Sequence, residues 1–491
     1  MMIRNLCMLV ALAVTSAASA ECRIYPAPQG AGLSDDYTVT VNGKAVDVYR
    51  GTVWEPQKLD WGKGIPSFGG PYSFAYFDFS GSVQVAVTSH KQPLDAVKIL
   101  PLSGGITPAT KGNALSFVLK NAPCQLSIEP NGKNGPLVLF ANPPEQNAPT
   151  PGSANVKYYG PGIHEAGKIE LRSNETLYLA GGAVLKGGIE ARGANIRIMG
   201  RGIIDGLKWE RFKGPARNIL LLDDCSAVEV EGIIVKDGWG WSVNLRGGSD
   251  ITLRNVKVIG SRCENNDGID ICNSQRVTVE DCFVRTDDDC IVIKGMGYGN
   301  AQAVDGVTVK RCVLWTDRAN IWRVGCESRA AAMRNILSSN IDVIHHAALD
   351  VGYVWRDANW VITLQPGEDM PMENVRFEDI RIHQERQGRL IQVEPLFTQW
   401  NRTKTPGRIR DCSFKNITVY GTPTSPEELG TIRVHGPDNS HDVRNVKFEN
   451  VVRFGQLAAE RSSGVDVSGS CDGVVFAGPP GTLAPPKGGV R

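Results

Sequence analysis

The chain has 491 residues, of which 42% are hydrophobic and 21% charged, with 54 glycines and a formal net charge of +1. A hydrophobic fraction of this size argues against a disordered chain, and the glycine content favours a turn-rich fold of roughly two or three domains. The sequence has no basic stripe and no polybasic tail. Nucleic acid and anionic membrane surfaces are therefore excluded as expected partners.

Residues 1–20, MMIRNLCMLVALAVTSAASA, are typical of a secretory signal peptide. Arg4 precedes the apolar run LCMLVALAV, and the small residues ASA come directly before Glu21. The apolar run is too short to span a bilayer. We therefore expect a secreted or periplasmic, soluble and monomeric protein that loses this segment, and with it the charge of Arg4.

Residues 21–150 show short alternating strands separated by turn signals. YTVTVNGKAVDVYR contains an Asn-Gly hairpin signal, and YSFAYFDFSGSVQVAVT places two strands around a Ser-Gly turn. These patterns predict a small N-terminal β-sandwich domain. Its boundary is expected within NPPEQNAPTPGSAN, residues 142–155, which is rich in proline and has no periodicity.

Of the 12 cysteines, 11 remain after the signal peptide is removed. Cys22 and Cys124 are the two that fall in the predicted sandwich, and export permits disulfides, so we predict that they pair. Four others lie inside apolar strand patterns and are interpreted as small buried hydrophobic residues: Cys272, Cys282, Cys290 and Cys312. No CxxC or Cys/His spacing suggests zinc, and we predict neither a metal nor a cofactor.

From residue 151 the chain repeats a pattern of two short strands joined by a polar turn. The segments include SAVEVEGIIVKD, SDITLRNVKVIG, QRVTVEDCFVRT and VDGVTVKRCVLW, and aligned copies begin 23, 26 and 30 residues apart at Val228, Ile251, Val277 and Val307. Leucine-rich repeats have a similar period, but their leucine spacing is missing here. The repeat predicts an all-β fold, with a right-handed parallel β-helix over residues 151–478. The Pro/Gly-rich residues 479–491 are predicted to form a loose tail.

Acidic residues concentrate in ENNDGIDICNSQRVTVEDCFVRTDDDCIVIKG, residues 264–295, beside strand patterns typical of a core. Asp267 and Asp288 are 21 residues apart, close to one β-helix coil, so we expect their carboxylates on adjacent coils. Strand alternation would place Asp287 and Asp289 on one side and Asp288 on the other unless a bulge intervenes. Clustered like charges cost stability, which favours a functional cluster over a solvated turn.

Four stretches resemble known glycosidase families. NNDGIDI and DDDCIVIKG resemble the Asn-Thr-Asp-Gly and Gly-Asp-Asp-Cys-Ile-Ala-Ile motifs of the polygalacturonase family, glycoside hydrolase family 28, and GRGIIDGLKW resembles its Gly-x-Gly-x-Ile-Asp-Gly stretch. YYGPGIHEAGKIELRSNETLYLAGGAVLKGGI resembles the opening coil of the dextranase family, glycoside hydrolase family 49. That family belongs to the same clan, and its layout is a β-sandwich followed by a right-handed β-helix. The resemblance covers residues 158–340.

The resemblance implies roles for three aspartates. Asp288 would be the general acid, and Asp267 and Asp289 would hold and activate the attacking water. This fits the requirement of glycoside hydrolysis for a protonated carboxyl on the leaving oxygen and a carboxylate on the far side. Clustering supplies the raised pKa that an acid requires. The resemblance also implies inversion at the anomeric carbon.

Further residues near these motifs are candidates for substrate contact. We predict a substrate-binding set made up of Asn266, Lys294, Trp322, Arg323, Glu327 and Asp350. Other tryptophans in turn-like contexts, Trp239, Trp241 and Trp355, could stack on sugar faces. The pair His345-His346 could replace a histidine that the polygalacturonase pattern has and this chain lacks.

The chain departs from the polygalacturonase pattern at two places. The family's Gly-His-Gly should fall near residues 319–321, where the sequence reads Ala-Asn-Ile, and its Arg-Ile-Lys should fall near HAALDVGY. A substrate carboxylate would therefore lack its usual bidentate partner, and Asp350 in that place would repel it. We slightly favour a neutral, dextran-like polysaccharide or oligosaccharide as the substrate over polygalacturonate.

Two rival functions fit the same fold. In a Ca²⁺-dependent polysaccharide lyase, clustered aspartates bind the ion and an arginine or lysine, here Arg323 or Lys294, removes a proton. In a non-catalytic carbohydrate-binding β-helix the acids would be ladders or ion sites. EDTA sensitivity would favour the lyase, and saccharide binding without new reducing ends would favour the binding protein.

Overall fold

The structure, a computed structural model, describes residues 21–58, 67–346, 359–383, 388–423 and 428–478. The described chain is almost entirely β, with short 3-10 helices at Pro56–Lys58, Leu102–Gly104 and Gly299–Ala301. Among these residues no helix has the length and apolar character needed to cross a membrane. The predictions of a signal peptide (1–20) and of a tail (479–491) lie outside the described residues.

The N-terminal part forms two sheets that pack face to face. The six-stranded sheet has the order β1-β5-β11-β10-β7 with β4 on β5, and the five-stranded sheet has the order β3-β2-β6-β9-β8. Alternate residues of both sheets, such as Val39, Val85, Phe77 and Leu139, share one buried cluster. The strands are β1 Cys22–Ile24, β2 Tyr37–Val41, β3 Lys44–Val46, β4 Tyr49–Gly51, β5 Tyr72–Phe79, β6 Val83–Ser89, β7 Lys98–Leu100, β8 Ala109–Lys111, β9 Ala114–Leu119, β10 Cys124–Lys133 and β11 Leu137–Asn142.

The predicted Cys22–Cys124 disulfide is wrong, because both thiols are free. Cys22 pairs with Phe79 on β5, and Cys124 pairs with Ala141 on β11. The strands β5 and β11 therefore lie between the two cysteines. Three strand spacings amount to about 14 Å, and a disulfide requires Cα atoms less than about 7 Å apart.

The remaining 28 strands of the described residues form one continuous sheet that winds into a β-helix, and it is parallel except where β36 pairs antiparallel with β35. Its strands are β12 Val156–Tyr159, β13 Gly162–Leu171, β14 Thr176–Leu179, β15 Ala183–Gly200, β16 Ile203–Asp205, β17 Leu220–Glu231, β18 Ile234–Lys236, β19 Val243–Arg246, β20 Ser249–Arg254, β21 Lys257–Gly260, β22 Ile269–Cys272, β23 Gln275–Glu280, β24 Phe283–Thr286, β25 Ile291–Met296, β26 Val304–Lys310, β27 Val313–Thr316, β28 Trp322–Arg329, β29 Met333–His346, β30 Ile362–Pro366, β31 Pro371–Ile382, β32 Arg389–Val393, β33 Arg408–Val419, β34 Thr431–Gly436, β35 Val443–Arg453, β36 Gln456–Leu457, β37 Val465–Gly469, β38 Cys471–Asp472 and β39 Val475–Ala477.

Each coil contributes strand segments to three parallel stacks. In the central coils the first stack contains β20, β23 and β26, the second contains β21, β24 and β27, and the third contains β22, β25 and β28. The register in the first stack pairs Val228 with Ile251, Ile251 with Val277, and Val277 with Val307. The repeat alignment made from the sequence is therefore confirmed.

The polar turn between the first and second stacks has a conformational cause. Its second residue takes a left-handed backbone, with φ of 53° at Asn255, 57° at Asp281 and 54° at Asn340. Asparagine and aspartate tolerate this region better than most residues. Apolar side chains on either side of the turn point inward and form the long core of the β-helix. The four cysteines interpreted as buried hydrophobic residues are buried and free, as predicted: Cys272, Cys282, Cys290 and Cys312.

The N-terminal sheets cover the outer face of the second stack. A buried cluster joins Tyr49, Phe74 and Phe140 of the six-stranded sheet to outward residues of the second stack such as Phe283 and Trp315. The rings of Phe140 and Phe283 meet edge to face at 5.2 Å. This packing places the N-terminal part directly against the coils that carry the aspartate cluster.

Candidate active site

The aspartates lie where the chain turns from the second stack into the third. Asp287, Asp288 and Asp289 form a bend between β24 and β25, and Asp267 immediately precedes the turn into β22. Ile269 pairs with Ile291, and the N–H of Gly268 donates to the carbonyl of Asp289 at 2.9 Å. Asp267 therefore lies beside Asp289, which is one residue away from the expected alignment with Asp288.

The structure brings the three predicted catalytic aspartates together. One carboxylate oxygen from each of Asp267, Asp288 and Asp289 lies within 4.8 Å of the other two. The strand alternation expected for the aspartate run does not apply, because these residues form a bend rather than a strand. Asp288 and Asp289 can therefore face the same cluster although they are neighbours in the chain.

Asp267 is buried and poorly compensated. Its Oδ2 lies 3.5 Å from the Lys294 Nζ, and its Oδ1 accepts no hydrogen bond from any described residue. Burial, and then the charges of Asp270 and Asp288, raise the pKa of Asp267 well above its ordinary value. A buried carboxylate oxygen without a protein donor is suited to hold a water molecule.

Asp289 is held by the next coil. Its Oδ1 accepts hydrogen bonds from the backbone N–H of Asn320 at 2.8 Å and from the Asn320 Nδ2 at 2.7 Å. Burial first, and then the charge of Asp288, raise the pKa of Asp289. Its free oxygen is the one available to a ligand.

Asp288 is the most accessible of the three. Its side chain is 19% exposed, whereas that of Asp267 is 4% exposed. The Arg318 Nη2 donates to its Oδ2 at 2.8 Å, and its backbone carbonyl accepts from the hydroxyls of Thr286 and Thr316, each at 2.7 Å. These contacts fix the bend and leave the carboxyl partly exposed.

Lys294 is placed at the site, but it contacts acids and an aromatic ring. Its Nζ lies 3.5 Å from both Asp267 and Asp270 and 4.0 Å from the centroid of the Trp241 ring, and the residue is 5% exposed. Although burial lowers its pKa, the charges of Glu327, Asp267 and Asp270 raise the pKa of Lys294 well above its ordinary value. The lysine is charged and compensates the buried acids.

Two of the predicted substrate contacts are wrong. Trp322 is fully buried inside the β-helix, where its ring meets that of Phe377 edge to face at 5.4 Å. Asn266 is also fully buried, and its Nδ2 donates to the Gly240 carbonyl and the Ser242 hydroxyl, each at 2.9 Å. Trp322 belongs to the core, and Asn266 braces the turn before Asp267.

Of the other candidates, some lie near the aspartate cluster and others lie in the core or outside the described residues. Arg323 is 9% exposed, and its Nη2 donates to Gln365 at 3.0 Å. Glu327 is half-buried and interacts electrostatically with Lys294 and Arg323. Trp241 is partly exposed beside Lys294, whereas Trp239 is buried in the core. Asp350 and Trp355 lie outside the described residues.

The histidine pair lies at the seam with the N-terminal part. His345 shares a hydrogen bond of 2.8 Å with Glu129, and its ring lies tilted against that of Trp315 with the centroids 4.2 Å apart. His346 is fully buried. The suggestion that these histidines replace the missing one is not supported by their contacts.

Sequence reasoning missed three residues of the site. Arg318 binds Asp288, Asn320 binds Asp289, and Asp270 lies beside Lys294. Arg318 and Asn320 lie one coil beyond the aspartate bend, so the 30-residue repeat spacing contained a signal for them. Burial raises the pKa of Asp270 to about 7 in spite of Lys294.

The site lies within a segment that matches a known family. The model of the family described as "Glycosyl hydrolases family 28" matches residues 188–310, which include Asp267, Asp288 and Asp289. An isopullulanase from Aspergillus niger is 24% identical over 277 residues, covering 46% of this chain and 47% of that protein. A probable polygalacturonase from Arabidopsis thaliana is 28% identical over 99 residues, covering 20% of this chain and 22% of that protein. The chain thus spans half or less of these relatives.

The fold has a solved counterpart along most of its length. Dex49A from Penicillium minioluteum superposes with a TM-score of 0.67 at 16% identity, covering 91% of this chain and 96% of that one. These comparisons confirm the resemblance to family 28 and the β-helical fold. The matching family model and the isopullulanase are both of glycoside hydrolases, which agrees with the prediction of a glycosidase.

Proposed function

We propose that the protein is an exported glycoside hydrolase that cleaves a polysaccharide at the cluster of Asp267, Asp288 and Asp289. The observation that carries this proposal is the meeting of three carboxylates within 4.8 Å, on adjacent coils and inside the family-28 segment. Burying like charges together is costly, and a cluster of acids in a cleft is typical of catalytic sites.

The environments of the carboxyls suggest a division of roles. Asp288 is partly exposed and is the proposed general acid for the leaving oxygen. Asp267 and Asp289 are the buried pair that holds the attacking water. A water accepting or donating at about 2.7 Å on each side spans up to about 5.4 Å, so oxygens within 4.8 Å can share one. Attack by such a water inverts the anomeric carbon.

A neutral glycan is the proposed substrate. Three cations near the acids in the described part of the chain already have protein partners. Lys294 contacts two aspartates, Arg318 contacts Asp287 and Asp288, and Arg323 contacts Gln365. A uronate carboxylate would have to displace one of these contacts. The similarity to an isopullulanase, named for an enzyme acting on pullulan, supports a neutral α-glucan.

Polygalacturonate hydrolysis is the second candidate. It is favoured by the family-28 match and by the similarity to probable polygalacturonases. For this substrate Arg323 would have to turn from Gln365 toward the sugar carboxylate.

A reducing-end assay on a substrate panel tests the proposal. The mature chain would be incubated with dextran, pullulan, polygalacturonate, rhamnogalacturonan and galactans, with and without EDTA. We expect new reducing ends from a neutral α-glucan and no effect of EDTA. Faster release from polygalacturonate would establish the second candidate. Loss of activity in EDTA together with unsaturated products would instead identify a lyase.

A further inference from the structure

The N-terminal part contributes one side chain to the immediate surroundings of the aspartate cluster. The indole Nε1 of Trp54 donates to the Oδ1 of Asp287 at 2.5 Å across 233 residues of sequence. Asp287 is fully buried, whereas Trp54 is partly exposed, so this contact lies at the edge of the buried cluster. A hydrogen bond to a buried carboxylate is stronger than a neutral one.

Asp287 transmits this contact to the proposed acid through Arg318. The Arg318 Nη2 donates at 2.8 Å to the Oδ2 of Asp287 and at 2.8 Å to the Oδ2 of Asp288, and its Nε lies 3.2 Å from both oxygens of Asp287. One guanidinium therefore bridges two adjacent carboxylates, and its orientation depends on Asp287.

The position of Trp54 is itself fixed by the fold. Val53 forms a parallel β-bridge with Ser261, and the backbone N–H of Trp54 donates to the Ser261 carbonyl at 2.8 Å. The Trp54 ring meets Phe68 edge to face at 5.6 Å, and the Phe68 carbonyl accepts from Arg285 of the second stack at 3.3 Å. The indole is thus attached to the β-helix on both sides.

We propose that Trp54 is a positioning residue for catalysis, which orients Asp288 through Asp287 and Arg318. The proposal rests on the proposed function and gives the N-terminal part a role in the reaction. Trp54 stabilises the carboxylate of Asp287, Asp287 shares the charge of Arg318, and Arg318 directs the carboxyl of Asp288 toward the leaving oxygen.

The same contacts predict the direction in which the pH profile of kcat moves when the Trp54 indole N–H is removed. The charged groups that face Asp288 are Arg318, Asp267, Asp289 and Asp287. Burial raises the pKa of Asp287 to about 7, while Arg318 and the Trp54 hydrogen bond hold it lower. Without the indole N–H, Asp287 takes up a proton more readily. Arg318 then pairs with Asp288 alone, so we expect the basic limb of the kcat profile of Trp54→Phe to move to lower pH.

Trp54→Phe tests this, since it keeps a ring and removes the donor. We expect a loss of about 10-fold in kcat, a KM within about twofold of the wild-type value, and a basic limb shifted down by about half to one pH unit. Asp287→Asn should shift the limb in the same direction and further.

The matched control is Tyr25→Phe at the other end of the same seam. The Tyr25 hydroxyl donates to the buried Asp78 at 2.8 Å, and Asp78 binds Arg201 of the β-helix. This variant also loses an aromatic donor to a buried aspartate–arginine pair, but far from the cluster. We expect its pH profile to match that of the wild-type protein. Equal effects of the two substitutions on the pH profile and kcat would overturn the proposal.

Crystal structures of both variants keep the test independent of turnover. In Trp54→Phe we expect the Arg318 guanidinium to move away from Asp287 and toward Asp288, and in Tyr25→Phe we expect it to keep both contacts. If the wild-type protein cleaves no glycan, the proposed function fails. In that case an unchanged position of the Arg318 guanidinium between Asp287 and Asp288 in Trp54→Phe would still overturn the positional claim.

Discussion

Asn320 holds Asp289 with two donors on one carboxylate oxygen. Its backbone N–H and its Nδ2 reach Oδ1 at 2.8 and 2.7 Å, from the next coil of the β-helix. The Asn320 Oδ1 in turn accepts from the backbone N–H of Trp360 at 2.9 Å. This buried amide leaves the second oxygen of Asp289 as the one that a water can use.

Asn320→Ala should lower kcat by about 10-fold or more, because Asp289 loses one of the donors that fix it. We expect a smaller change in KM, since Asn320 is fully buried and is not exposed to a substrate. Steady-state kinetics on the best substrate of the panel measure both. Asn374→Ala is the control, because the Asn374 amide belongs to an exposed ladder with Asn335. A loss of kcat in the control as large as that in Asn320→Ala would contradict the assignment.

Asp267→Asn should abolish turnover and stabilise the fold at neutral pH. Burial raises the pKa of Asp267, so its charged form destabilises the native state as the pH rises above the unfolded value near 4. An amide removes that penalty. We expect a Tm above that of the wild-type protein at pH 8 and little difference at pH 4, together with a loss of about 10²-fold or more in kcat.

Asp305→Asn should change the Tm at pH 8 in the opposite direction. The pKa of Asp305 is lowered, because hydrogen bonds from Asn335 and Arg334 outweigh the effect of burial. Its charge therefore contributes stability above the unfolded pKa, and the amide should lower the Tm at pH 8. A rise in Tm for Asp305→Asn, or a fall for Asp267→Asn, would show that burial of charge is not what distinguishes the two sites.

The β-helix could be predicted from the sequence because its repeats follow simple geometry. Val228, Ile251, Val277 and Val307 occupy equivalent places in successive coils, and the structure stacks them in register. The same register also predicts that Trp322 lies in the core rather than at the substrate. It pairs with Ile291, which pairs with Ile269, and all three point into the core. The side chain of Trp322 is buried because its position in the strand points inward, whatever the residue type.

Contacts between the two parts of the chain could not be predicted. Trp54 meets Asp287 because the six-stranded sheet docks on the second stack, and no local pattern near either residue specifies that docking. The disulfide prediction failed for a similar reason. Cys22 and Cys124 were paired by elimination, whereas the strand order places two strands between them.

Hydrolysis should release the sugar with inverted anomeric configuration. Proton NMR of the first products, recorded before mutarotation, measures this on an α-glucan or, if that is the substrate, on polygalacturonate. Carboxyl groups in most inverting enzymes lie about 6.5–9.5 Å apart, whereas the nearest oxygens here lie within 4.8 Å. Because the carboxyls lie closer together than is usual for inversion, the configuration of the product is a strict test of the proposed roles. Retention would mean that Asp267 or Asp289 acts as a nucleophile rather than as a water ligand.

Lys257 should make stability depend on pH at the seam between the two parts. It is fully buried with neutral partners, donating to Asn142 and to the Asn255 carbonyl, and burial lowers its pKa to about 7. The cost of its charge is full below pH 7 and falls as the pH rises toward the unfolded value near 10.4. The Tm of Lys257→Met relative to that of the wild-type protein should therefore be higher at pH 6 than at pH 9. A difference independent of pH would contradict the lowered pKa.

Asp288→Asn tests the central claim most directly. An amide has nearly the shape of the carboxyl but cannot give a proton to the leaving oxygen. On the best substrate of the panel, release of reducing ends by the purified variant should fall by about 10²-fold or more relative to the wild-type protein, with an unchanged circular dichroism spectrum. Turnover near the wild-type rate by the folded variant would show that Asp288 is not the acid and that the cluster of Asp267, Asp288 and Asp289 does not work as proposed.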